Sequence, residues 1–159
     1  MGFSPFVEKA RFKICEAYRI ESPSYYHDQN YTEKALSRYQ EFLDDFPNSP
    51  HKNKVLESIA ILRNKIGQKE FESGILYMKM EEFESAKMIF DRVDDNYYDT
   101  DIIHKARLYM IKACAENENL KLAKQYLNKY ENDLRENNLY NEALIAINQA
   151  EKINLKSSK

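Results

Sequence analysis

Two cysteines, three histidines and 26 carboxylates are the residues of this 159-residue chain whose types could do chemistry. Cys15 and Cys114 stand about a hundred positions apart, each in a stretch with helical periodicity. They could form a disulfide or redox pair, but a free cysteine behaves above all as a small core hydrophobe, and that role is expected here. A metal centre needs three or four converging ligands, more than two cysteines and three scattered histidines supply. His27, His51 and His104 fall in a loop and near two helix starts, with no Ser or Cys nucleophile at useful spacing. Capping or surface roles are expected of them. The carboxylates are spread along helix faces and not paired for acid–base work. No glycine-rich loop that could cradle a phosphate occurs. Side-chain chemistry therefore points to no enzyme, no cofactor and no metal.

The elements that carry these residues are helical. Only three glycines and four prolines occur, and no proline follows residue 50. With 24 Lys+Arg against 26 Asp+Glu, the net charge of −2 gives no reason to expect nucleic acid. No run of 18 apolar residues is present, and neither a signal peptide nor a lipid-accepting Cys opens the chain. "MGFSPF" lacks the Ser or Thr that myristoylation wants at position 6.

Residues 5–19 begin with Ser4 as N-cap and Pro5 at the first helical position. Phe6, Ala10, Ile14 and Ala17 form the expected apolar stripe of that helix. Residues 20–30, with Pro23, break the pattern, and Asn30 with Glu33 is spaced like a capping box for a helix over 31–45. Residues 50–79 predict one long helix or two nearly in line. Val55, Ile59, Leu62 and Ile66 make one stripe and Phe71, Ile75 and Met78 a second, with a kink or rotated face beside Gly67. Further helices are expected at 82–95, 100–116, 120–135 and 138–152, with a turn at 116–119 and fraying after residue 153.

Gly74, Tyr77, Ala86 and Phe90 carry a repeat: a small residue and a Tyr on one helix, then Ala and an aromatic on the next. Ala35, Tyr39, Phe42 and Pro47 fall at the offsets of the same second helix and its closing proline. Ala123, with Leu127 and Tyr130, keeps that spacing more weakly. This is the pattern of the tetratricopeptide repeat, two antiparallel helices that bury their apolar faces by stacking on the next pair. "FPNSP" then becomes a joint, Pro47 closing one pair and Ser49-Pro50 opening another. The expected fold is an all-α solenoid in one domain over 1–159: units 4–47, 50–98 and 100–135, and a capping helix over 138–152.

The stretch from Ser22 to Val93 resembles the BamD-like outer-membrane β-barrel assembly lipoproteins in their Bacteroidetes-like form, through "DQNYTEKAL", the "FPNS" joint and "KEFESGILYMKMEEFESA". The likeness extends over about residues 4–115, and "YYDT" carries Tyr98 where most relatives have proline, implying a looser joint or a helix that runs on. The resemblance implies a non-catalytic scaffold at the periplasmic side of the outer membrane. Its partners would be the POTRA domains of a BamA-like barrel subunit, with other assembly subunits or unfolded outer-membrane proteins as further partners. It also implies an anchoring lipid upstream and N-terminal repeats absent here, so that this chain is the C-terminal portion. Two other readings stay open: a generic adaptor gripping extended peptides in a concave groove, or an accessory domain of an enzyme outside this chain.

Candidate contact residues follow from position: Tyr25 and Tyr26 in the irregular segment, and Arg92, Lys105 and Arg107 near the second joint. Tyrosines there could anchor a partner or fold back into the groove between helices. Residues 81–101 hold eight acids against Lys87 and Arg92, while residues 50–69 hold five bases against Glu57. These are either complementary docking faces or solvated helix faces.

Overall fold

The computed structural model describes residues 4–157, so Met1 and Gly2 lie outside the described residues. The fold is all-α and of the tetratricopeptide kind. Its helices are α1 (Pro5–Glu21), α2 (Asn30–Asp45), α3 (Lys52–Lys79), α4 (Phe83–Asn96), α5 (Ile103–Glu116), α6 (Leu120–Lys129), α7 (Glu131–Glu136) and α8 (Tyr140–Ser157). Residues 50–79 thus form a single helix from Lys52, and Gly67 does not interrupt it. The chain divides within α3 into two compact units, Met1–Lys69 and Glu70–Lys159.

In the first unit α1 packs on α2, and Phe12, Cys15, Ala35, Tyr39, Phe42, Phe46, Val55 and Leu62 form the core. The first stripe of α3 serves this core, with Ile59 half-buried against it. The expected stripe of α1 does not. Phe6 is 85% exposed, Ile14 50%, and Ala10 and Ala17 are exposed too. The face carrying Phe12 and Cys15 is buried instead, because Phe12 finds Phe42 at 5.9 Å between centroids and stacks on His51 at 4.2 Å. A periodic apolar stripe is a candidate face, and these ring partners and the polar contacts of Glu16 select another.

The joint forms, but α3 starts at Lys52, so Pro50 precedes the helix and does not take its first position, and Ser49 stands outside its cap position. Phe46 caps α2 through its N–H to the Phe42 carbonyl, and Ser49 Oγ accepts the His51 N–H at 3.0 Å. Pro47 itself stays exposed. The capping box at Asn30 and Glu33 does not form, since α2 already includes Asn30 and its cap position is Gln29. Asp28 Oδ1 takes the Asn30 N–H at 2.8 Å in its place.

The second unit is built on Phe71, Ala86, Phe90, Ala106, Met110, Ile111, Cys114, Ala123, Leu134, Ala143 and Ile147, with Ile75 and Met78 of the second stripe beside them. Gly74 is where the backbone of α3 must come close: a Cβ there would lie 2.4 Å from Phe90 Cε1. Tyr77 remains exposed, at the surface of α3 and not in the core. The expected helix over 120–135 is broken at Tyr130, which ends α6 and precedes α7. Buried Tyr130 sits at φ −106° with its hydroxyl tied to Asp94, out of regular helix geometry. The last helix runs to Ser157, beyond its expected end. The "YYDT" joint is an ordered turn, with Thr100 Oγ1 donating to the Tyr97 carbonyl at 2.6 Å, and α4 does not continue through it.

Three turns share one device. After α3, Glu81 N–H bonds to the Met78 carbonyl and Glu82 N–H to that of Tyr77. After α5, Glu118 pairs with Ala115 and Asn119 with Cys114; after α7, Asn138 pairs with Arg135 and Leu139 with Leu134. These are Schellman motifs, whose left-handed position usually holds glycine. Here Glu81, Glu118 and Asn138 take it at φ 61°, 59° and 59°. Side chains there cost about 1–2 kcal/mol, less for Asn.

Candidate functional site

The first unit carries a loop, residues 22–29, that displays aromatics. Loops hold shape when their buried polar groups are satisfied, and this one is tied down from beneath. Buried Gln29 donates through Nε2 to the carbonyls of Ser24 and His27, both at 2.9 Å, and buried Thr32 donates to Gln29 Oε1 at 2.7 Å. Lys65 Nζ reaches Ser22 Oγ at 2.7 Å and Lys69 Nζ the His27 carbonyl at 2.6 Å. Burial, and then the charge of Arg19, pulls the Lys65 pKa below its ordinary value. On top of this frame Tyr25 and Tyr26 meet edge to face at 5.5 Å, and Tyr26 is 67% exposed. Tyr31 is exposed beside them, with Lys34 Nζ 5.4 Å from its ring centroid. These tyrosines face outward instead of folding back.

Below the loop, Glu16 joins three helices. It accepts from Arg19 on α1 and from the Tyr39 hydroxyl on α2, and pairs with Lys54 of α3 at 3.1 Å. Burial would raise its pKa, but these donors outweigh burial and hold the carboxyl at about 2. Tyr39 is pushed up to about 12 by burial and by Glu16. Between α1 and α2, a cavity of about 280 Å³ is lined by Arg11, Ile14, Cys15, Tyr18, Arg38 and Phe42, among others. Both cysteines are buried and form no disulfide, and burial pushes each thiol up to about 11.

In the second unit a polar cluster ties the start of α5 to α4, α6 and α7. Arg107 Nε donates to Asp94 at 2.7 Å, its Nη1 lies 3.2 Å from Asp133 Oδ2, and its guanidinium covers the Tyr130 ring at 4.7 Å. The Tyr130 hydroxyl donates to Asp94 at 2.6 Å. Burial opposes the Arg107 charge, but Asp94 and Asp133 outweigh it and raise its pKa; burial and Asp94 raise that of Tyr130 well above the ordinary range. His104 Nδ1 stands 2.6 Å from Asp133 Oδ1 and 3.1 Å from Asn137 Nδ2. Asp133 Oδ2 is buried and has the Arg107 ion pair but no hydrogen bond.

The candidate contact residues are therefore spread out. Tyr25 and Tyr26 stand together on the first unit. On the second, Arg92 is exposed and paired with Glu70 at 2.8 Å, Lys105 is exposed, and Arg107 is engaged by Asp94 and Asp133. Of the repeat positions, Ala35, Tyr39, Phe42, Gly74, Ala86, Phe90 and Ala123 are buried. Glu16, Asp94 and Asp133 were not singled out from sequence, because a carboxylate that gathers distant donors looks like any surface acid. Among the described residues no group of three or more His, Cys, Asp or Glu is arranged to hold a metal, and no helix is long and apolar enough to cross a membrane.

A family profile described as "YfiO: Outer membrane lipoprotein" matches residues 6–111, two thirds of the chain. No curated protein matches. The chain belongs to that outer membrane lipoprotein family.

Proposed function

From this membership, we propose that the chain is a non-catalytic, BamD-like scaffold of the Bacteroidetes-like form, acting at the periplasmic side of the outer membrane in β-barrel protein assembly. Its partner is a POTRA-containing barrel subunit, and the 22–29 loop is a principal contact. The observation that carries this reading is the braced loop with Tyr25 and Tyr26 held outward. Aromatics fixed before binding lose little entropy on docking, and interface energy concentrates on such anchors. The family supports the setting, since its members are outer membrane lipoproteins. Arg92 and Lys105 supply exposed charge on the second unit. Arg107 acts by holding α4, α5 and α7 together.

Calorimetric titration of the chain with the purified POTRA domains of its own organism's barrel subunit tests the reading. Saturable binding is expected, weakened about 30-fold or more in Tyr25→Ala/Tyr26→Ala, the loss of a hot spot of about 2 kcal/mol. Absence of binding, or binding indifferent to both tyrosines, refutes it. Tight capture of free peptide carboxylates instead would turn the assignment to a peptide adaptor.

A further inference from the structure

The second unit exposes more apolar surface than its fold requires. On α3, Leu76 is 56% exposed and Tyr77 37%, and just past the end of that helix Met80 is 59% exposed. On α4, Met88 is 60% exposed. Tyr77, Ser85, Met88, Ile89 and Arg92 line an open cavity of about 320 Å³. Ser85, Met88, Ile89 and Arg92 are spaced three, four and seven apart, so they occupy one face of α4. Both methionines lie outside the repeat's packing positions and add nothing to the core. Exposed apolar side chains grouped beside a groove mark an interaction surface, and unbranched methionines adapt to varied partners.

The charges around the groove say what fits it. Glu84, Asp91 and Asp95 stand four before, three after and seven after Met88 along α4; Glu84 accepts from Asn117 Nδ2 at 3.2 Å and Asp91 from the Tyr126 hydroxyl at 3.4 Å, and Asp95 is exposed. Glu81 and Glu82 are exposed in the α3–α4 turn. Lys87 answers Asp91 at 2.7 Å and Arg92 answers Glu70 at 2.8 Å, so the two bases of this stretch are already matched by acids. Lys79 is the remaining exposed base, against Glu81, Glu82, Glu84 and Asp95.

We propose that the α3–α4 groove, lined by Tyr77, Met88 and Ile89, with Glu81, Glu84 and Asp95 exposed at the turn and along α4, docks an amphipathic helical segment of a partner protein that carries aliphatic side chains on one face and Lys or Arg beside them. Tyr77 and Met88 take the aliphatic stripe, and the acidic residues take the flanking cations. This surface lies within the second unit, and the proposal stands whether or not a POTRA domain binds the tyrosine loop of the first.

Three synthetic 18-residue helical peptides test it by fluorescence polarisation against the full chain: one with a leucine stripe flanked by lysines, one with leucines replaced by alanine, and one with lysines replaced by glutamate. Only the leucine–lysine peptide is expected to bind in the micromolar range, at least tenfold more tightly than either control and more weakly as salt rises. Amide chemical shifts should change mainly over residues 74–96. Met88→Lys should abolish the binding, and Glu84→Lys/Asp95→Lys should weaken it tenfold or more. Both variants alter exposed positions, and circular dichroism checks that they fold. Binding of the alanine–lysine peptide with equal affinity would reduce the groove to unspecific charge attraction and overturn the proposal. So would preference for the glutamate peptide, a footprint elsewhere, or no binding at all.

Discussion

Gly74→Ala is the substitution whose outcome the packing of this fold determines most directly. By helix propensity alone it should stabilise α3 by about 1 kcal/mol. The structure predicts the opposite. An added Cβ would lie 2.4, 2.8 and 2.9 Å from Cε1, Cζ and Cδ1 of Phe90. Carbon atoms prefer about 3.5–4.0 Å, so the ring would have to retreat by about 1 Å. It has no room to do so. Phe90 is fully buried, with Phe71 at 5.5 Å and Tyr109 at 5.8 Å between ring centroids. Overpacking of a close-packed core costs about 1–3 kcal/mol, and this contact belongs at the upper end. Less the propensity gain, the net loss is about 2 kcal/mol. For a chain of this size that lowers the melting temperature by about 4–8 °C. Guanidinium denaturation followed by circular dichroism measures the loss, and hydrogen exchange should place it in α3, α4 and α5. Adding Phe90→Leu to Gly74→Ala removes the clashing ring edge, so the pair should be less harmful than the sum of the singles by about 1 kcal/mol or more. A Gly74→Ala chain as stable as the parent, or more so, would refute the close-approach argument.

The left-handed turn positions predict gains: Glu81→Gly and Glu118→Gly should each raise stability by about 1 kcal/mol in denaturant melts, and Asn138→Gly by less. Glu16 predicts an acid limit for the first unit. Its folded pKa of about 2 lies below the ordinary 4.5, so its stabilisation is complete above 4.5 and disappears as pH falls towards 2. Acid titration of α1 and α2 amides should show that loss, and Glu16→Gln should flatten it. Tyr130→Phe removes a hydrogen bond to the Asp94 carboxylate and should cost about 1.5–3 kcal/mol by thermal melts. Cys15 and Cys114, buried and held near 11, should resist a thiol-specific disulfide reagent at pH 8 until denaturant is added.

What the sequence determined by itself was everything set within about five residues. The positions of most helices, the Ser4-Pro5 start and the turn at 116–119 follow from contacts of that reach, which residue type and spacing report directly. The Gly74, Ala86 and Phe90 pattern was legible for a related reason, since helices that cross closely demand a small residue opposite a large one. Tertiary structure decided the rest. The apolar stripe of α1 and the face of Phe12 and Cys15 were both available, and partners on α2 and at His51 chose between them. The break at Tyr130 depends on Asp94, 36 positions away, and the convergence on Glu16 on donors as far as Lys54. The exposure of Tyr26 and Met88 likewise depends on which neighbours fail to cover them. Periodicity reports which residues share a face, but only the packed neighbours determine whether that face is buried or left to meet a partner.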